Sequence, residues 1–230
     1  MQNFSQKKLI DDVICSRKSI RSFLSKEVSY EIIKEILEVA SRAPSGSNTQ
    51  PWKVYVLSKK NKEDLSKEII KAYDDPNENE KFSEEYHYYP IKWETPYLER
   101  RRKVGWDLYN LLGLKRENKM GMHKQHSRNF SFFDAPVGLI FTIDRILEKG
   151  SWLDYGMFLQ NFMIASKARG LDTCPQAAFN KFHEIIFKVL SLPKSEQLVC
   201  GMSLGFADQS KIENTLKTER SAVDHFTKFL

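Results

Sequence analysis

The chain has 230 residues, 41% hydrophobic and 29% charged, which fits one compact domain or a domain with one long insertion. Its net charge of +6 is spread along the chain, and the densest basic run, Arg100 to Lys103, comes with no nucleic-acid signature. That balance suits small anionic ligands, and 15 Phe, 9 Tyr and 4 Trp suit packing around a flat aromatic one, although cores and subunit interfaces also use rings.

The N-terminus, Met1 to Asp12, is polar and lacks the apolar core of a signal peptide. Residues 7–15 predict a short helix with Leu9, Ile10, Val13 and Ile14 on one face. A polar turn follows from Ser16 to Lys26. Ser29 is placed to cap the next helix, Glu31 favours its first turn, and Ile32, Ile33, Ile36, Leu37 and Ala40 form its apolar stripe. Pro44 is expected to set its end. After a Ser/Gly/Asn loop, Val54 to Leu57 reads as a buried strand.

The stretch 59–133 differs in character. It opens with a charged helical segment, passes through a polar run (Asp74 to Lys81) that reads as a mobile loop, and then mixes tyrosines and tryptophans with Arg100 to Arg102. Its apolar residues are too few for a core of its own, so it reads as a variable insertion or lid on a single domain spanning 1–230. Val137 to Ile143 then predicts a strand apolar on both faces. Leu153 to Arg169 predicts a helix apolar nearly all round, buried centrally or at a dimer interface and stopped at Gly170. A helix near 182–190 ends before Pro193, Leu198 to Phe206 is a further buried strand, and a polar arm closes the chain. Helices between strands make an α+β layered fold. No stretch reaches the roughly 18 apolar residues of a bilayer span. With three cysteines (Cys15, Cys174, Cys200) in no CxxC pair, the expectation is a soluble, cytoplasmic protein without disulfides.

Several chemistries are missing. The sequence has no GxGxxG turn, no GxxxxGK[ST] loop, no GxSxG elbow and no HExxH. His123 and His126 are three apart in a polar stretch without acidic or cysteine neighbours, which reads as solvated surface; no metal site is expected. What remains is Arg17-Lys18-Ser19-Ile20-Arg21. In an extended turn alternate residues project the same way, so Arg17, Ser19 and Arg21 can converge on one ligand, and the arginine fork suits phosphate. A second segment, Ala43 to Trp52, is stiffened by Pro44 and Pro51, and its Ser45, Ser47, Asn48 and Gln50 offer hydrogen bonds that a mere helix-to-strand connection does not require.

Arg-Lys-Ser-Ile-Arg-Ser-Phe at 17–23 and Ala-Pro-Ser-Gly-Ser-Asn-Thr-Gln-Pro-Trp-Lys at 43–53 resemble the nitroreductase family of FMN-dependent oxidoreductases. So do Asp134 to Val137, Gly170 to Gln176, Gly201 to Ala207 and Glu219-Arg220, in the same order. The resemblance implies a nitroreductase-like layered α+β fold, its sheet mixed but largely antiparallel and flanked by helices, in an intertwined homodimer. It implies bound FMN, NAD(P)H as electron donor, and reduction of nitroaromatic or quinone-like acceptors by ping-pong hydride transfer in one shared pocket. Arg17 and Arg220 would hold the FMN phosphate, with Lys18 and Ser19 near the ribityl-phosphate end or the ring edge. Arg21 would face the N1–C2 carbonyl edge, where a fixed cation stabilises the reduced ring.

By the same resemblance Pro44, Ser45, Ser47 and Asn48 would come from the partner subunit. The turn Pro175-Gln176-Ala177-Ala178 would pass flavin N5 with a backbone N–H from Ala177 or Ala178, and Gly205 would line the cofactor site. No side chain is assigned as acid, base or nucleophile, and Cys174 is expected to pack in the wall with nothing nearby to lower its pKa. The family often has a second basic residue two positions before the C-terminal arginine; here that position is Thr218, beside Lys217. The insertion and Asn129 to Phe133 are similar to the nitrobenzoate-reducing branch. A reductive dehalogenase, a flavin-cleaving enzyme or a non-enzymatic flavin-binding protein on the same scaffold are the alternatives.

Overall fold

A computed structural model describes residues 2–230 of the chain. Lys53–Val56 (β1), Val137–Asp144 (β2), Asp172–Gln176 (β3) and Glu196–Gly205 (β4) form one antiparallel sheet in the order β1-β2-β4-β3. The helices are Gln2–Ser16 (α1), Tyr30–Ala40 (α2), Lys59–Asp74 (α3), Pro76–Asn79 (α4), Tyr97–Leu111 (α5), Lys119–Ser127 (α6), Lys149–Ala168 (α7) and His183–Leu190 (α8).

Strand β2 explains the layering. Alternate side chains leave a strand on opposite faces. Leu139, Phe141 and Ile143 therefore pack with Ile33, Ile36, Phe158 and Phe162 of α2 and α7, while Ile140 packs with Leu65, Ile69 and Ile186 of α3 and α8. Burying a side chain such as Phe162 completely contributes about 1.5–3 kcal/mol. Ser29 caps α2 as the sequence indicates, accepting from the Ile32 N–H at 3.4 Å. Gly170, at φ +74, takes the left-handed conformation that stops α7. None of the helices formed by the described residues is long and apolar enough to cross a membrane.

Several elements differ from expectation. The first helix starts earlier than residue 7, and its stripe is not buried: Leu9 is 67% and Ile10 57% exposed. Helix α2 stops at Ala40, where Ser41 N–H returns to Leu37 O, so Pro44 lies beyond its end. Strand β1 is a half-buried edge strand. The run after Asp74 is ordered into one helical turn, because Asp75 caps it and Pro76 occupies its first position. Residues 172–176 form a strand, whereas the sequence reading began a turn at Pro175 and gave 172–174 no element; Pro175 is tolerated because β3 lies at the sheet edge. Helix α3 buries Leu65, Ile69 and Ala72 in the core, whereas no residue from 73 to 129 is buried.

Candidate active site

The turn at 17–21 lies along the free edge of β3. Ser19 forms a parallel bridge with Thr173, and Ile20 N–H donates to Thr173 O at 3.1 Å. This pairing holds the turn extended, as convergence of Arg17, Ser19 and Arg21 requires. All three are close enough to Cys174 to favour its thiolate, which corrects the expectation that nothing nearby would do so. Burial outweighs them, and the Cys174 thiol is pushed up to about 11. It stays a wall residue.

Arg17 is half-buried, and among the described residues its side chain has no hydrogen bond and no ion pair. Burial first, and then the like charge of Arg220, hold its pKa below the usual arginine value. Arg220 is exposed and, among the described residues, bonded only within its own arm, to Thr218 Oγ1 and Glu219 O at 2.9 Å each and to Thr218 O at 3.4 Å. Both arginines line a cavity of ≈ 800 Å³ with Lys18, Lys217, Thr218 and Gln160. Two cations facing one space without an anion make a site for an anionic group.

A second cavity, of ≈ 360 Å³, lies along α7. It is walled by Tyr86, Trp152, Gly156 and Leu159 and floored by Pro175, Gln176 and Ala177. Trp152, Gly156 and Gln160 recur every four residues, so they share one helix face over about 12 Å. The arginine cavity lies at the Gln160 end and the aromatic cavity at the Trp152 end. Gly156 is exposed and a Cβ on it would meet no atom within 4 Å, so the helix face is open where it lines this cavity. A third cavity, of ≈ 410 Å³, lies against the same turn and includes Ala178, Tyr73, His126, Phe130 and Lys181. His123 and His126 are not simply solvated: both stack on Tyr73, with centroids at 4.3 and 5.4 Å, and His123 pairs with Asp74 at 2.7 Å. The described residues contain no metal-binding cluster.

The other candidate residues divide. Lys18 Nζ is spent on Asn214 O at 2.5 Å. The Gln176 side chain points inward, donating to Asn129 O at 2.6 Å, and its Oε1 lies 2.8 Å from Ser203 Oγ, so only its backbone remains for a ligand. Gly205 serves packing, since a Cβ there would come within 2.6 Å of Pro136. Arg21 follows the Ser19–Thr173 bridge by two residues, and among the described residues its guanidinium meets no carboxylate and has one bond, to Ser19 O at 3.4 Å.

Pro44 to Asn48 is docked elsewhere. Gly46 N–H donates to Asp154 at 3.0 Å, and Trp52 stacks on Phe158 at 4.8 Å. Asp154 and Phe158 are each two residues from Gly156, about 160° around the helix from it at 100° per residue. The loop therefore sits behind α7, and none of residues 44–48 lines any of these cavities. Ser47, Asn48 and Gln50 hold left-handed φ of 50, 58 and 48, and Gln50 N–H closes the loop on Ser45 Oγ at 3.0 Å. Sequence reading missed Gly156, Gln160 and Asn214. The four-residue spacing on α7 could have flagged the first two; nothing marked Asn214.

These features define an α+β protein with a cationic cavity and an aromatic cavity set along one face of α7, together forming the trough. Residues 14–206 match the Nitroreductase family, and the chain belongs to it. It is 42% identical to a 4-nitrobenzoate reductase of Pseudomonas putida, over 96% of this chain and 95% of that one. It is 43% identical to a chloronitrobenzene nitroreductase of Comamonas testosteroni, over 96% of each. Its fold superposes with a TM-score of 0.91 on the FMN-dependent nitroreductase NfnB of Mycobacterium smegmatis in complex with NADPH, at 27% identity, covering 98% of this chain and 99% of that one.

Proposed function

We propose that this chain is an FMN-dependent oxidoreductase that reduces nitroaromatic or quinone-like acceptors with NAD(P)H. The observation that carries the reading is Arg17, half-buried without a counter-ion among the described residues and set beside Arg220 at the cationic end of the trough. A phosphate dianion answers both charges and relieves their repulsion. Two further features fit an elongated ligand: the open helix face at Gly156, and Thr173 Oγ1, the buried side-chain polar atom beside Ser19 that lacks a hydrogen-bond partner among the described residues.

In this reading Arg17 and Arg220 hold the phosphate, and Ser19 lies along the chain that joins phosphate to ring. Arg21 supplies a fixed positive charge at the N1–C2 edge, and the backbone of Ala177 or Ala178 offers an N–H toward N5. Bound FMN supplies a two-electron carrier between nicotinamide donor and acceptor. Tyr86, Trp152 and Leu159 exclude water from the ring end and give flat substrates a stacking surface.

Pro44, Ser45, Ser47 and Asn48 reach such a site only from a second copy, because within one chain they sit behind α7. Exposed apolar residues on α1 (Leu9, Ile10, Ile14), on α7 (Leu153, 71% exposed) and in the C-terminal arm (Phe226, Phe229) provide the surface for that homodimer. The names of the relatives at 42 and 43% identity favour nitroarenes among the acceptors. Steady-state kinetics with NADPH and a nitrobenzoate test the shared pocket: parallel double-reciprocal lines are expected, and intersecting lines would overturn it.

A further inference from the structure

We propose that Asn214 is a positioning residue that sets the C-terminal arm in register with the turn carrying Arg17 and Arg21. The assignment rests on reading the trough as an FMN site. Asn214 is 3% exposed, in the short turn Ile212–Thr215 six residues before Arg220. Its Oδ1 accepts from Arg21 N–H at 2.8 Å, and its Nδ2 donates to Ser22 O at 2.8 Å and Asp208 O at 2.9 Å. Its carbonyl receives Lys18 Nζ. Four bonds thus join one residue of the arm to Lys18, Arg21, Ser22 and Asp208.

The neighbouring Glu213, also buried, takes Arg128 Nη1 at 2.6 Å, and Leu216, two residues after Asn214, is buried as well. The arm is therefore fixed just before it delivers Thr218 and Arg220 to the cavity. An amide is the side chain that offers one acceptor and two donors in a plane, and here each atom meets a backbone group. Alanine would orphan the Ser22 and Asp208 carbonyls and the Arg21 N–H together. Aspartate keeps the acceptor for Arg21 and sets an oxygen against the two carbonyls. Lys18 has the same task from the other side: its ammonium anchors the arm and is not a phosphate ligand.

The test uses full-length wild type, Asn214→Ala, Lys18→Met and the double variant, each stripped of FMN and titrated with FMN at low and high salt. The midpoint potential of the bound flavin is measured in parallel. Asn214→Ala is expected to raise the FMN Kd about tenfold or more and to make the potential more negative, because Arg21 loses the bond that fixes it. Lys18→Met is expected to weaken FMN by the same factor at both salts, and the double variant to match the stronger single one. An unchanged potential in Asn214→Ala, with only thermal stability lost, would make the residue merely structural and overturn the proposal. So would a Lys18→Met loss confined to low salt, which marks a direct phosphate contact. Should Asn214→Ala fail to fold, Lys18→Met decides alone on the same readouts, because it leaves the three side-chain bonds of Asn214 in place. A wild type that binds no FMN would instead remove the underlying reading.

Discussion

Replacing Arg17 with methionine separates a ligand-holding arginine from a structural one, because the two roles move stability in opposite directions. Arg17 has no side-chain bond to lose among the described residues, and methionine retains the packing of its half-buried stem. What the change removes is a partly desolvated charge facing Arg220. With solvent screening at this half-exposed site, the ligand-free protein should gain up to about 1 kcal/mol, or about 2–4 °C in Tm for a chain of this size. The bound state loses a charge-assisted bond to phosphate worth about 1.5–3 kcal/mol, which is about 10- to 150-fold in Kd. FMN titration of the stripped protein by flavin fluorescence, with a melting curve of the same sample, reads both quantities. The loss in affinity should shrink at high salt. An unchanged Kd, or a clear fall in ligand-free Tm, would refute the assignment of Arg17 to the phosphate.

Arg21→Ala should keep part of its FMN yet slow flavin reduction by NAD(P)H, whereas Arg220→Ala should mainly lose FMN; equal losses of FMN would mean the two roles are misassigned. Gly156→Ala should raise ligand-free stability by about 0.5–1 kcal/mol, since glycine is unfavourable inside a helix, while lowering kcat/KM. A fall in ligand-free stability would place Gly156 against other protein and not against a ligand. At about pH 8 iodoacetamide should modify the exposed Cys15 but spare Cys174 and Cys200, whose burial pushes their pKa values from 9.0 to about 11 and about 12. Both are raised above the unfolded thiol value, so their contribution is complete below that value. It is lost as pH rises toward about 11, because the unfolded chain releases protons that the fold retains. Urea midpoints that do not fall between about pH 8 and pH 10.5 would contradict this.

The elements read most directly from the sequence are those whose local and tertiary preferences agree. Ser29 caps a helix with a strict apolar stripe, and Val137 to Ile143 is apolar on both faces because both faces are covered. Strand β3 escaped notice because Pro175 argues against a strand unless the edge position is known, and that position depends on β4. At the site, the extended form of the turn at 17–21 was readable, and pairing with Thr173 keeps it so, although of Arg17, Ser19 and Arg21 only Arg17 lines one of these cavities. The inward turn of the Gln176 side chain was not, since it depends on Asn129 and Ser203, both far away in sequence. Asn214 looked like any asparagine in a polar arm; only folding surrounds it with the backbone of 21–22 and 208.

The visible spectrum of the purified protein, before and after anaerobic NADPH, decides whether the chain carries a working flavin. Flavin bands are expected that bleach with NADPH alone and return when a nitrobenzoate is added, and denaturation should release the pigment as FMN. A colourless protein that takes up no FMN, or a bound flavin that NADPH leaves unbleached, would contradict the proposed function.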